Sequence, residues 1–146
     1  MPVINRDSSI SIPGGEVSLP YSWLLLLAKG STRTVYVASD REVVKIESVG
    51  TFNNVLEYTL WQDLQYCPEV ADWLAPCIGI SPDGSMLMQR RAEPLPEDYK
   101  LPEYLPEFLT DTRRDNYGLL DGRFVCVDYA GLIRHACTAL RKVEWK

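Results

Sequence analysis

The sequence predicts a small α+β fold: a mostly antiparallel sheet with one main helix, followed by a reduced second half. Short runs of β-branched and aromatic residues alternate with turn sequences up to residue 91. One stretch has the 3.6-residue period of a helix, and four prolines between residues 93 and 108 prevent a long helix there. Because 146 residues is the size of an ordinary domain, we expect a single domain over 1–146, divided near residue 91.

The first half of the chain has the pattern of strands joined by short links. The predicted strands are 8–12, 16–19, 23–28, 33–39 and 42–47. Pro13-Gly14-Gly15 and Asp40-Arg41 have the composition of turns. The last three of these strands therefore predict an antiparallel meander.

A helix is predicted over residues 52–65. Its apolar stripe consists of Phe52, Val55, Leu56, Leu60, Trp61 and Leu64. Thr51 or Asn53 is a suitable residue to cap its first turn. Glu57 falls inside the apolar arc, and a buried carboxylate is costly unless it is paired, so it needs a cation nearby.

The remaining elements follow from turn signals. Ser81-Pro82-Asp83-Gly84 joins strands at 76–81 and 85–90, which together with the three-stranded meander gives a sheet of about five strands. Asp121-Gly122 joins a further pair at 117–120 and 123–128. We also expect at most a short helix near 102–109, and a C-terminal helix over 131–143.

Charge and hydropathy exclude several classes of protein. The net charge is −5 and the isoelectric point about 4.9, which argues against general nucleic-acid binding and against a polybasic membrane-surface protein. The longest apolar run, residues 23–28, is too short to cross a bilayer. Residues 1–7 lack the pattern of a secretory signal, so we expect a cytoplasmic protein.

Five polar residues stand out from this layout. Lys45 lies in a predicted strand, and the helix that carries Glu57 follows, so the two are natural partners. Asp111 and Asn116 lie in a predicted loop, and Asp128 ends a predicted strand. A lysine, a carboxylate that holds it and oxygen ligands for magnesium are the groups that phosphoryl transfer requires.

The order of these residues resembles the protein-kinase fold. Residues 30–35 resemble the glycine-rich loop, and Val43-Val44-Lys45-Ile46 resembles the third-strand lysine motif. Residues 88–91 resemble the strand that enters the hinge. Asp111-Thr-Arg-Arg-Asp-Asn116 resembles the catalytic loop, and Asp128-Tyr129-Ala130 resembles the Asp-Phe-Gly motif. Glu57 matches the acid of the C helix. The order Asn-x-Gly, Asp-Gly-Arg-x-Val and Asp-Tyr between residues 116 and 129 is also similar to compact kinase-like chains of tailed phages.

This resemblance implies a fold and a set of roles. Residues 1–91 would form an N-lobe with a C helix, and 92–146 a strongly reduced C-lobe. ATP and Mg²⁺ would be the cofactors. The nucleotide would be contacted by Gly30, Ser31, Thr32, Lys45 and Met88. The catalytic residues would be Asp111, Lys45, Glu57 and Arg113. The metal ligands would be Asn116 and Asp128. Asp111 would accept the proton of the acceptor hydroxyl, beside Arg113.

The chain also departs from the kinase pattern. The loop at Gly30 has one glycine, Leu109 replaces the histidine before Asp111, and Ala130 replaces a glycine. Only 19 residues, 92–110, connect the hinge to Asp111, too few for the usual C-lobe helices. Two interpretations therefore stay open. One is a Mg·ATP-dependent phosphotransferase or its nucleotide-binding remnant. The other is a non-catalytic interaction module, such as a phage protein that binds and inhibits a host protein in the host cytoplasm.

Overall fold

Among the residues that the structure describes, the main sheet contains seven antiparallel strands. A computed structural model describes residues 9–12, 15–18, 25–30, 32–48, 50–132 and 138–146. Within these ranges the strands of the sheet are β1 (Ser9–Ile12), β2 (Gly15–Ser18), β3 (Leu25–Lys29), β4 (Arg33–Val37), β5 (Glu42–Glu47), β6 (Cys77–Ile80) and β7 (Met86–Arg90). Their order is β2-β1-β6-β7-β5-β4-β3.

The α+β class is therefore confirmed, but the predicted count of about five strands is too low. The β1–β2 hairpin adds two strands because it joins the outer edge of β6, where Ser11 is opposite Ile80. A local pattern predicts a hairpin but not the edge that it joins, so the count required the tertiary structure. Predicted residues that lie outside the described ranges include Ser31 and the turn at 13–14.

The pairing of β4 with β5 decides which side chains share a face. Arg33 is opposite Glu47 and Val35 is opposite Lys45. Directly opposed residues project to the same side of a sheet, so Arg33, Lys45 and Glu47 point to one face. Val44 and Ile46 point to the other face, where they form a buried cluster with Met86 and Met88.

One long helix, α1 (Asn53–Leu64), covers the face that carries Lys45. Its buried residues are Asn54, Glu57 and Leu60. The predicted apolar stripe is only partly correct, because Phe52, Val55 and Leu56 are exposed. Polar contacts fix this rotation: Glu57 binds cations from the sheet, and the Asn54 amide donates to the carbonyls of Lys45 and Gly84, each at 3.0 Å.

The start of α1 is capped from the sheet. The prediction of Thr51 or Asn53 as cap is wrong, since Phe52 occupies the N-cap position in a left-handed conformation (φ 59°). The Glu47 carboxylate instead accepts the backbone N–H groups of Asn53 at 2.9 Å and Asn54 at 2.8 Å. It also accepts the Thr51 hydroxyl at 2.7 Å. A strand residue therefore satisfies donors that a local side chain usually satisfies.

The second half of the chain forms two small sheets. A short helix α2 (Pro68–Ala71) lies before β6, in the first half. In chain order the described elements of the second half are β8 (Glu93–Pro94), β9 (Tyr104–Pro106), a 3₁₀ turn (Arg114–Asn116), β10 (Tyr117–Leu120), β11 (Arg123–Cys126) and β12 (Leu140–Lys142). One sheet has the order β11-β10-β8, and the other pairs β12 with β9. The predicted hairpin at Asp121-Gly122 is confirmed.

Two predicted helices are corrected by the β9–β12 pair. The helix expected over 131–143 is wrong at its end, because Leu140–Lys142 is a strand; residues 133–137 lie outside the described ranges. The short helix expected near 102–109 is replaced over Tyr104–Pro106 by β9. Each segment supplies the other's backbone hydrogen bonds, and such a distant partner overrides local helix propensity.

A shared hydrophobic core joins the two halves. Leu60 and Leu87 come from the first half, and Leu105, Tyr117 and Tyr129 from the second, and all are buried in one cluster. The ring of Phe124 stacks on Tyr117 with centroids 4.9 Å apart at the edge of this cluster. The helices in the described ranges are all too short or too polar to cross a membrane.

Candidate functional site

A buried lysine–glutamate pair lies between the sheet and α1. Lys45 Nζ in β5 lies 2.5 Å from Glu57 Oε1 in α1, as the sequence predicted. Lys45 also donates to the carbonyl of Val127. Glu57 is fully buried and Lys45 is 4% exposed. The pair is therefore withdrawn from water. In such a buried environment an ion pair is stable only if its remaining hydrogen-bonding groups are satisfied.

A second cation, Arg33 of β4, completes the cluster. Its Nη1 and Nη2 donate to the two oxygens of Glu57, each at 3.2 Å. Nη1 also donates to Asn54 Oδ1 at 3.3 Å, and Nη2 to Asp128 Oδ1 at 2.5 Å. The guanidinium thus joins an acid of the first half to an acid of the second.

The Glu57 carboxylate is fully satisfied as an anion. Besides the two cations, it accepts the backbone N–H of Tyr129 at 2.7 Å. Burial by itself would raise the pKa of Glu57, but the charges and hydrogen bonds of Lys45 and Arg33 outweigh burial and hold that pKa below its usual value. Burial likewise opposes the charge of Arg33, yet Glu57 and Asp128 raise its pKa. Glu57 and Arg33 are therefore both charged at neutral pH.

Asp128 lies at the solvent side of this cluster. Its side chain is 51% exposed, whereas that of its partner Arg33 is 8% exposed. Lys45, Glu57 and Asp128 therefore lie in one cluster, joined by Arg33. Asp128 is the member of the cluster that a molecule from solvent meets first.

Asp111 and Arg113 form a separate pair in the loop before β10. Arg113 Nε and Nη2 donate to both Asp111 oxygens, with a shortest distance of 2.7 Å. These hydrogen bonds lower the pKa of Asp111. Arg113 is exposed, and Asp111 raises its pKa with smaller contributions from Asp115 and Asp128.

Asn116 lies behind Asp128 and is 5% exposed. Its amide donates to Cys126 Sγ at 3.4 Å, and that thiol donates to the Asp128 carbonyl at 3.3 Å. The Asn116 carbonyl accepts the Val127 N–H at 2.9 Å. These contacts fix the backbone that carries Asp128.

The arrangement does not fit a magnesium ion held by Asn116 and Asp128. The Asn116 amide nitrogen donates to the Cys126 thiol, and one oxygen of Asp128 is bound to the Arg33 guanidinium. Magnesium requires near-octahedral oxygen coordination, and a neighbouring guanidinium repels it. The described part of the chain contains no group of three histidine, cysteine or acidic residues placed to hold a metal.

Of the other predicted nucleotide contacts, Gly30 and Thr32 lie near this site, whereas Met88 does not. The Gly30 N–H donates to the Arg33 carbonyl at 2.8 Å, which closes a tight turn before Arg33. Thr32 Oγ1 accepts from the Asn53 amide at 3.0 Å, at the start of α1. Met88 is not brought to Lys45, because it is buried with Val44 on the opposite face of the sheet.

Arg33 is the site residue that the sequence analysis missed. The register of β4 and β5 pairs Arg33 with Glu47 and so puts Arg33 on the same face as Lys45. Counting outward from a two-residue turn at Asp40-Arg41 pairs Arg33 with Ser48 and places it on the opposite face, so the predicted turn does not reveal this second cation.

Protein-family models, curated proteins and solved structures were compared with the chain, and none matches it.

Proposed function

We propose that this protein binds a nucleoside triphosphate in a site similar to that of protein kinases, with Lys45 as the phosphate contact. The observation that supports this most is the 2.5 Å contact between Lys45 Nζ and Glu57 Oε1, held next to Asp128 by Arg33. A lysine fixed by a buried carboxylate beside a second acid is the arrangement that the kinase resemblance implies.

The ligand approaches from the side of Asp128 and Arg113. Their side chains are 51% and 60% exposed, whereas Lys45 is buried. An ammonium group has three N–H donors, and Glu57 and the Val127 carbonyl use two of them. The third N–H of Lys45 and the exposed guanidinium of Arg113 then bind phosphate oxygens.

Binding, rather than phosphoryl transfer, is the activity that this geometry supports best. Transfer requires Asp111 to accept a proton from a hydroxyl, while both its oxygens are bound to Arg113. Transfer by Asp111 stays a prediction of the kinase resemblance.

Thermal unfolding in the presence of ATP or adenosine tests the proposal. A ligand that binds the native state raises the melting temperature, and the phosphate contacts predict a rise with ATP that exceeds the rise with adenosine. Arg113→Gln removes an exposed cation without disturbing the buried cluster and is expected to weaken ATP binding several-fold. Lys100→Met, a change at an exposed lysine elsewhere, serves as control. No rise with ATP, or equal rises with ATP and adenosine, would contradict the proposal.

The exposed apolar face of α1 favours a second candidate function, a non-catalytic interaction module. Phe52, Val55 and Leu56 are 65%, 42% and 51% exposed on one side of the helix. Such a patch is typical of a surface that binds another protein. In an affinity capture from host lysate, Leu56→Glu should lose the partner that Lys45→Ala retains. Equal capture by wild type and Leu56→Glu would exclude this surface.

A further inference from the structure

Both terminal nitrogens of the Arg33 guanidinium are engaged within the cluster. Nη1 donates to Asn54 at 3.3 Å and Glu57 at 3.2 Å, and Nη2 to Glu57 at 3.2 Å and Asp128 at 2.5 Å. Each of its four terminal N–H groups therefore has an acceptor. Arg33 is only 8% exposed, so moving the guanidinium away from Asp128 would leave two acids short of a partner.

This arginine also changes the charge of the site. Lys45 and Arg33 balance Glu57 and Asp128, so the four groups joined by these contacts carry no net charge. Without Arg33 the same site would carry one negative charge, centred on the half-exposed Asp128. That carboxylate would then attract a divalent cation, which is the usual partner of triphosphate oxygens.

We propose that Arg33 takes the place of a divalent cation at Asp128, so that the site binds the triphosphate of a nucleotide without Mg²⁺. The inference rests on the proposed function and specifies the ionic form of its ligand. The guanidinium shields the phosphates from the Asp128 charge, which is the electrostatic part of what a metal does in such sites. Lys45 and Arg113 then face metal-free phosphate directly.

Melting temperatures of the wild-type chain separate this inference from the proposed function. The expected result is a rise with ATP in EDTA at least as large as with ATP and MgCl₂, and no rise with MgCl₂ alone. A rise that requires MgCl₂ would overturn the inference and leave nucleotide binding intact. No rise in either buffer would overturn both.

Substitution of Arg33 gives a second, direct measurement. Mn²⁺ serves as a spectroscopic substitute for Mg²⁺, and electron paramagnetic resonance measures the fraction that is bound. We expect Arg33→Gln to bind Mn²⁺ at least tenfold more tightly than wild type, and Arg33→Gln with Asp128→Asn to lose that gain. Arg123→Gln makes the same charge change at an exposed position and should behave as wild type. Wild-type binding of Mn²⁺ as tight as that of Arg33→Gln would overturn the inference. If Arg33→Gln does not fold, the wild-type comparison in EDTA still decides the question.

Discussion

Arg33 and Asp128 lie 95 residues apart in the sequence, yet Nη2 of one is 2.5 Å from Oδ1 of the other. The contact joins the main sheet to the segment after β11, at the point where Glu57 accepts the Tyr129 N–H. One guanidinium therefore determines both the charge of the site and the position of its exposed acid.

Arg33 is more buried than Asp128, so substitutions at the two residues are expected to lower the free energy of unfolding by different amounts. Arg33→Met leaves the buried Glu57 with one cation and should lower the free energy of unfolding by about 3 kcal/mol. Asp128→Asn changes a half-exposed side chain and should cost no more than about 1 kcal/mol. Urea unfolding at pH 7 measures both, with Arg123→Met as a surface control. Equal losses at the two positions would contradict the burial argument.

Glu57 also predicts how stability depends on pH. Its pKa is below the usual value of 4.5, so the unfolded chain takes up a proton first as the pH falls. The stability due to Glu57 is complete above pH 4.5 and is lost as the pH falls through the folded-state pKa. Glu57→Gln should therefore lower stability at pH 7 by about 3–5 kcal/mol and flatten the decline below pH 4.5.

Urea unfolding of wild type and Glu57→Gln at several pH values between 7 and 3 tests this prediction. Asp83 and Asp111 also have lowered pKa values, and they are present in both proteins, so their contribution cancels in the difference. Parallel curves for the two proteins would mean that Glu57 is not the group responsible.

The cap of α1 by Glu47 gives a third prediction. Glu47→Ala leaves the Asn53 and Asn54 N–H groups without this acceptor and should cost about 1–2 kcal/mol of stability. Because α1 carries Glu57, hydrogen exchange should also rise at the start of the helix. Glu97→Ala, at an exposed loop residue, should change neither quantity. Unchanged exchange in Glu47→Ala would show that the helix does not depend on this carboxylate.

Gly118 in β10 lies close to the connection between the two halves. A Cβ added there would lie 2.7 Å from the Glu93 carbonyl oxygen and 3.0 Å from the Ala92 Cβ. Gly118→Ala should therefore disturb the β8–β10 pairing and cost about 1–3 kcal/mol.

Gly131→Ala is the matched control, because its added Cβ would have no described heavy atom within 4 Å. It should be neutral or stabilise by up to about 1 kcal/mol. Thermal unfolding compares the two variants. A smaller loss for Gly118→Ala than for Gly131→Ala would contradict the close approach of β8.

Local sequence signals predicted the parts of the fold that depend on neighbours along the chain. The bounds of β5 agree with the prediction, and α1 begins and ends within one residue of it. The partnership of Lys45 and Glu57 was also predictable, because strand alternation and helix periodicity each fix a direction in space. An acid inside an apolar arc requires a cation, and the preceding strand supplies one.

The tertiary structure alone decided what depends on distant segments. The rotation of α1, which exposes Phe52 and Leu56, results from buried hydrogen bonds that outweigh the burial of two apolar side chains. The strand at Leu140–Lys142 forms only because β9 supplies its hydrogen bonds. The link from Arg33 to Asp128 likewise depends on two halves packing together. Periodicity describes one element at a time, whereas these features are set by free energies shared between elements far apart in the chain.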